Sequence, residues 1–150
     1  MATSTLNDFR SNLAANITTQ LTTDAVTGVT VTKYPPGDEA ARTDQVFISR
    51  IETEQVRLVY GGPRSETLTA DVVVFVQQPG AGDTVADAVE ARALTIAASI
   101  ETTLRDDPTV DSGTPAVWDA EYAGHASEPG VTPEGRYTEL TVTVTAESHI

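Results

Sequence analysis

The sequence predicts an α+β fold: an antiparallel or mixed sheet, an N-terminal helix, and one long helix packed across one face, with extended loops and a hairpin arm. Three observations predict it. Apolar residues recur at three- and four-residue steps in two separate segments, as on one stripe of a helix. Elsewhere valine and threonine alternate with a period of two, as on a strand with one buried face. Gly/Pro clusters separate these segments where the chain must turn. At 150 residues the chain is expected to form one domain spanning 1–150, being too short for two comfortable cores.

The first stripe is Leu6, Phe9, Leu13, Ile17 and Leu21, predicting a helix over 6–21. Thr5 followed by Asp8 resembles a capping arrangement, and Asp8 suits the positive first turn. Thr18, Thr19, Thr22 and Thr23 weaken the far end, where the stripe also stops. From Val26 the period changes to two, with Val29 and Val31 alternating with Thr30 and Thr32, until Pro35-Pro36-Gly37 ends the strand. Asp38 to Asp44 reads as a polar loop. Alternation resumes at Val46 and Ile48 and returns at Val56, Leu58 and Tyr60, with Arg50, Glu52 and Glu54 interrupting the same face. Either a turn falls near Thr53 or one long strand runs past the core as an arm, and both readings stand at this point.

Gly61-Gly62-Pro63 is a turn signal, since two glycines accept positive φ freely. Leu68, Ala70, Val72, Val74 and Val76 then share a strand face, while Val73 and Phe75 make the middle apolar on both sides, as in a central strand. Pro79-Gly80-Ala81-Gly82 ends it. The second stripe, Val85, Val89, Ala93, Ile96, Ile100 and Leu104, predicts a helix over 84–106 with Asp83 or Thr84 as its cap. Such a helix would be roughly 34 Å long, enough to cross a small sheet. Asp87, Glu90, Arg92 and Glu101 mark its solvated faces, Glu101 precedes Arg105 by one turn, and Pro108 prevents continuation. Val117 to Ala123 reads as a short strand, Gly124 to Gly135 as a Gly/Pro/Glu loop, and Tyr137 to Ala146 as the last strand. No internal repeat and no linker divides the chain.

Charge narrows the function. Nine Lys+Arg against 22 Asp+Glu give a net of −13, and Lys33 is the sole lysine. Such a surface repels phosphates and disfavours nucleic-acid affinity, which needs cations that displace counterions. A GC-rich genome would explain the scarcity of lysine. A salt-rich cytoplasm, where salt screens the self-repulsion of an acidic surface, also explains the abundance of carboxylates and fits better. With no cysteine there is no thiolate catalysis, Cys-based zinc site or disulfide framework. Met1-Ala2-Thr3-Ser4-Thr5 carries no signal-peptide pattern, and no apolar run is long enough to span a membrane.

No catalytic set stands out, and neither a catalytic residue, a cofactor site nor a metal site is expected. A serine nucleophile needs a base, and the two histidines are His125, in the Gly/Pro loop, and His149, in the tail. Gly80-Ala81-Gly82 precedes a helix but lacks the third glycine and a following lysine, so it reads as a connection rather than a phosphate cradle. Asp106, Asp107 and Asp111 cluster, yet their spacing fits no calcium loop, so a solvated turn is the better reading. Asn16-Ile17-Thr18 matches a glycosylation acceptor by chance, because Ile17 is on the buried stripe. The candidate contact residues are Tyr60, Arg64, Trp118, Tyr122 and His125, exposed groups beside adaptable loops. For Trp118 a role as a lid on the core edge stands beside that reading.

The order of segments resembles the tail terminator (tail completion) proteins of long-tailed viruses of bacteria and archaea. The matching pieces are Leu6–Leu21, the Val29-x-Val31 strand, Leu68–Val76 before Thr84–Asp106, and Tyr137–Ala146. The resemblance implies a homohexameric ring at the neck end of the tail tube. Such a ring stops tube growth, receives the head through a stopper protein, and lets DNA pass its pore without specific binding. The Tyr60–Arg64 arm and the Gly124–Gly135 loop depart from that plan and look like local insertions. A head–tail stopper, adaptor or tube subunit would share these traits. A small enzyme or ligand-binding domain would instead show a closed apolar pocket with converging polar groups.

Overall fold

The computed structural model describes residues 4–37, 44–57, 60, 64–113, 115–133 and 135–149. The element order is α1 (Leu6–Thr23), β1 (Val29–Thr32), β2 (Asp44–Arg57), β3 (Arg64–Pro79), α2 (Asp83–Asp106), β4 (Asp119–Thr132) and β5 (Gly135–His149). The strands form one mixed sheet in the order β1-β2-β3-β5-β4, parallel between β1 and β2 and antiparallel elsewhere. The fold is therefore α+β, as the patterns predict. β3 lies at the sheet centre, which is why its middle is apolar on both faces.

Both helices lie on one face of the sheet and close a single cluster of buried side chains. Phe9, Leu13, Ile17 and Leu21 of α1 meet Val89, Ala93, Ile96, Ile100 and Leu104 of α2. Both stripes rest on Val46, Ile48, Leu68, Val72, Val74, Leu140, Val142 and Val144. The Ser99 hydroxyl donates to Asp24 at 2.7 Å and ties the two helices together. Arg92 pairs with Asp44 at 2.8 Å and donates to the Thr27 carbonyl, fastening α2 to the start of β1 and β2.

The caps differ from the predicted ones. Thr5 occupies the N-cap of α1, but its side chain makes no capping bond and its hydroxyl donates to Glu66 instead. The Leu6 N–H bonds the Ser4 hydroxyl. Gly82, not Asp83 or Thr84, caps α2, again without a side-chain bond. At its C-terminus α1 runs two residues past Leu21, and the Thr18, Thr19, Thr22 and Thr23 hydroxyls bond back to carbonyls four residues earlier. Ala25 then takes φ +58, and N–H bonds from Ala25 to Thr22 and from Val26 to Leu21 complete a Schellman turn with no glycine to announce it. Val26 therefore belongs to that turn, and β1 starts at Val29.

β2 is one long strand, so the arm is the alternative that holds, and no turn falls at Thr53. A register shift between Ile48 and Ile51 absorbs an extra residue, after which Arg57 still pairs with Arg64. The polar loop expected over 38–44 lies outside the described residues except Asp44, which opens β2. Leu58 and the Gly61-Gly62-Pro63 turn also lie outside them.

The larger correction concerns Gly124 to Gly135. It is strand, not loop: β4 runs from Asp119 to Thr132 and pairs with β5 down to Thr132–Gly135. The expected short strand from Val117 thus starts two residues later and ends far beyond Ala123. The physical reason is position. β4 is a sheet edge, the place in a sheet that tolerates a proline such as Pro129, Gly124 sits at a bulge beside Tyr122, and polar residues face water on the outer side. β5 likewise exceeds the predicted Tyr137–Ala146, and the backbone of His149 completes it rather than trailing as a tail.

Gly135 shows how closely this hairpin approaches β3. A Cβ placed there would lie 2.2 Å from the Gln78 carbonyl oxygen and 2.8 Å from the Pro79 Cα, both backbone atoms that cannot swing away. Gly135→Ala is expected to lower stability by about 2 kcal/mol, since the whole ladder end must shift. Gly130→Ala meets only the Tyr137 ring, which can rotate, and is expected to lower it less. Denaturant midpoints of the two variants check this order.

Candidate assembly surfaces

β1 pairs with β2 only from Asp44 to Phe47, so beyond that point β2 is the edge of the sheet. Arg10 of α1 fills the place where β1 leaves. Its guanidinium donates to the carbonyls of Lys33 (2.8 Å), Ile48 (2.7 Å) and Ser49 (3.3 Å), and lies 4.7 Å from the Tyr34 ring centroid. Arg10 is 8% exposed. Its spacing was the available signal: Arg10 falls four residues after Leu6 and three before Leu13, on the flank of the stripe.

A buried carboxylate holds the base of the arm. Glu66 is in phase with Leu68, Ala70 and Val72 on the covered face and is fully buried. It accepts from the Thr5 N–H (3.0 Å), the Thr5 hydroxyl (2.9 Å) and the Gln55 amide (2.9 Å). Burial alone would push its pKa up. The bonds from the Thr5 backbone and from the Gln55, Ser4 and Thr5 side chains outweigh that and hold it below the ordinary carboxylate value. The start of α1, β2 and β3 thus share one anion. Its alternation with the valines of β3 was the available signal.

Beyond Glu66 the arm is exposed from Glu52 to Arg57 on β2, and Tyr60 is 96% exposed. Arg57 and Arg64 face each other across the hairpin, and the Arg64 guanidinium donates weakly to Gln55 at 3.4 Å. At the opposite edge, Tyr122 and His125 come together: the tyrosine oxygen is 2.7 Å from His125 Nδ1, with the rings edge to face. Burial first, and then the Glu101 carboxylate, push the Tyr122 pKa up, so the phenol stays protonated. Trp118 is 67% exposed, and its backbone N–H donates to the Glu147 carbonyl at 2.7 Å. The five candidate residues therefore divide into two groups, Tyr60 and Arg64 at the arm, and Trp118, Tyr122 and His125 along β4.

Between α2 and β4 runs a groove of about 300 Å³ lined by Glu101, Leu104, Arg105, Pro108, Ala120, Glu121 and Tyr122. The sheet face turned away from the helices is different in character. Register places Thr67, Thr69, Thr141, Thr143 and Thr145 on it, with Asp71, Glu121, Glu128, Glu139 and Glu147 among them. Its apolar part is Phe47, Val73, Phe75 and Tyr137, with Tyr137 stacked on Phe75 at 5.5 Å.

The aspartate cluster after α2 is a turn. Asp107 accepts from the Thr109 N–H and hydroxyl, the Asp111 N–H and the Asn16 amide. Among the described residues no group of three His, Cys, Asp or Glu side chains is placed to hold a metal ion. Gly80-Ala81-Gly82 carries the chain from β3 into α2. No helix is long and apolar enough among the described residues to cross a membrane.

No protein-family model matches the sequence, and neither does any curated protein. Among solved structures, the chain is similar to a chain in the virion of a native gene transfer agent particle. That likeness has a TM-score of 0.54 and 16% identity, and covers 91% of this chain and 94% of the other. At that identity the two share a fold.

Proposed function

We propose that this chain is a structural virion protein: a subunit of a homohexameric ring at the neck end of a viral tail tube, where it ends tube polymerisation and joins the tail to the head-side connector. The whole chain serves as one domain of that ring. The observation that supports this most is the likeness along almost the full length of both chains to a component of a virion. The partners are then further copies of the chain, a tail-tube protein and a head-side stopper, met through Tyr60, Arg64, Trp118, Tyr122 and His125. No chemistry is required of it. DNA passes the pore without specific binding, since a chain of net −13 has little with which to neutralise phosphates.

Like charge must oppose closing such a ring. Six copies at −13 each repel over a Debye length of roughly 30 Å at 0.01 M salt, but over only about 3 Å at 1 M. The purified protein is expected to run as a hexamer in molar salt and to dissociate as salt is lowered, read by sedimentation across a salt series. A strict monomer at every ionic strength, or tighter assembly in dilute salt, would defeat the proposal. Imaging of the assembled particle separates the neck ring from a stopper, an adaptor or a tube ring.

A further inference from the structure

We propose that copies of this chain join edge to edge: the free stretch of β2 in one copy adds as a strand beside β4 of the next, with Arg50 opposite Glu128. The joint rests on the reading of the chain as a ring subunit, and it is the contact that closes the ring. Both edges are bare. β1 leaves β2 at Phe47, and Arg10 takes the carbonyls of Ile48 and Ser49. From Arg50 to Arg57 no described strand flanks β2 on that side. β4 ends the sheet on the other side, and its residues 125–129 are exposed. Such edges carry unanswered N–H and C=O groups, which pair readily with another chain. Most of the exposed large apolar side chains gather at the same margins, Tyr34 and Val56 near the β2 edge, Trp118 and Val131 along β4.

The edges meet without any copy being turned over. Each neighbouring pair in β2-β3-β5-β4 is antiparallel, so β2 runs opposite to β4. A second copy set beside β4 in the same orientation therefore presents β2 antiparallel to it, with the helices of both on one side. Two different edges make a heterologous contact, which rotation repeats until the ring closes and no edge is left free. β4 paired with its own copy about Ala126 would instead make a two-fold dimer and leave β2 bare. β2 paired with itself about residue 52, 53 or 54 would set Glu52 or Glu54 against a carboxylate.

Charge selects the register. Glu52 lies opposite Thr69 on the face turned away from the helices, and Arg50 bonds to it there. Glu121, Gly124, Ala126 and Glu128 lie on that same face of β4. With Arg50 opposite Glu128, Glu52 faces Ala126 and Glu54 faces Gly124, so no carboxylate meets another. A slip of two residues is the smallest that keeps the faces matched. In one direction it sets Glu52 against Glu128, in the other Glu54 against Glu121, and like charges directly opposite destabilise a ladder. The Arg50–Glu52 pair is exposed and weak, and the guanidinium has donors enough for Glu128 as well. The ends agree with this register. Pro129, which has no N–H, comes abreast of Ser49, whose carbonyl Arg10 already occupies. Beyond it Val131, 66% exposed, is carried toward the end of β1, where Tyr34 is 58% exposed. The bulge at Tyr122/Gly124 falls past Glu54.

The chain has no cysteine, so introduced thiols report on this joint alone. Glu52→Cys with Ala126→Cys sets two sulfurs opposite each other across the joint but on opposite margins of one copy. Oxidised with copper–phenanthroline in the salt at which the parent assembles, this variant is expected to run as a covalent series up to the full ring on denaturing gels. Each single variant is expected to stay one chain long. The slipped pair, Glu52→Cys with Glu128→Cys, is expected to link roughly 10-fold more slowly, because diagonal neighbours are about 7 Å apart. Arg50→Glu is expected to weaken association roughly 5-fold or more, read by sedimentation, and Glu128→Arg added to it is expected to restore it. Both residues are exposed, so circular dichroism should match the parent. Absence of the covalent series, faster linking of the slipped pair, or no rescue by the second reversal would overturn the joint while leaving an assembling parent and the ring proposal intact. Dimers from Ala126→Cys alone would assign the β4 edge to a two-fold contact and equally overturn it. A parent that never assembles would end both.

Discussion

Arg10→Ala is expected to lower stability by about 3 kcal/mol, a drop of roughly 10 °C in melting temperature for a chain of this size. Three carbonyls, those of Lys33, Ile48 and Ser49, look inward at the point where β1 leaves the sheet and no strand replaces it. One guanidinium answers all three, because its N–H groups fan out in a plane as no other side chain allows. Truncation removes the donors and leaves the acceptors beneath the Tyr34 ring, each stripped of water at a cost of about 1–3 kcal/mol if nothing refills the site. Arg10→Met separates the causes. It restores the volume and not the donors, so it is expected to remain nearly as unstable as the alanine variant. A loss under 1 kcal/mol in urea unfolding of Arg10→Met would show that water serves those carbonyls equally well.

Glu66→Gln is expected to cost about 2 kcal/mol near neutral pH and progressively less in acid. The amide keeps one acceptor oxygen but turns an N–H₂ group toward a donor, since Thr5 contributes two donors and Gln55 a third. The sign of the pH dependence follows from the lowered pKa. The folded chain binds the proton less readily than the unfolded chain, so the anion's contribution is complete above the ordinary carboxylate value. It is lost as pH falls through the lower folded value. The parent should therefore weaken more steeply than Glu66→Gln below about pH 4.5, and the two stability curves should converge. Parallel curves would mean that the carboxylate charge contributes nothing to the latch.

What was legible and what was not divides along the core boundary. Leu6 to Leu21, Leu68 to Val76 and Val85 to Leu104 announced themselves because burial imposes a period, and the structure buries those same faces. β4 between Gly124 and Thr132 carried no such period, since an edge strand with both sides near water tolerates Gly, Pro and Glu. Ala25 hid a helix stop because glycine usually occupies its φ. The two polar anchors escaped for the opposite reason. Arg10 and Glu66 sit in phase with buried residues, where a charge looks like an interruption until its partners, distant in sequence, are known. The grouping of the contact candidates into an arm set and a β4 set also depended on strand order, which no local pattern states.

The β3–β5 ladder runs unbroken from Ser65–His149 to Pro79–Gly135, joining the root of the arm to the far end of the molecule. Its bonds lie crosswise to the strands. A pull applied lengthwise between the arm and the opposite pole must therefore shear every rung together, whereas a pull across the sheet would peel them singly. The protein is built as a tie-rod along that axis, stiff against a load applied lengthwise.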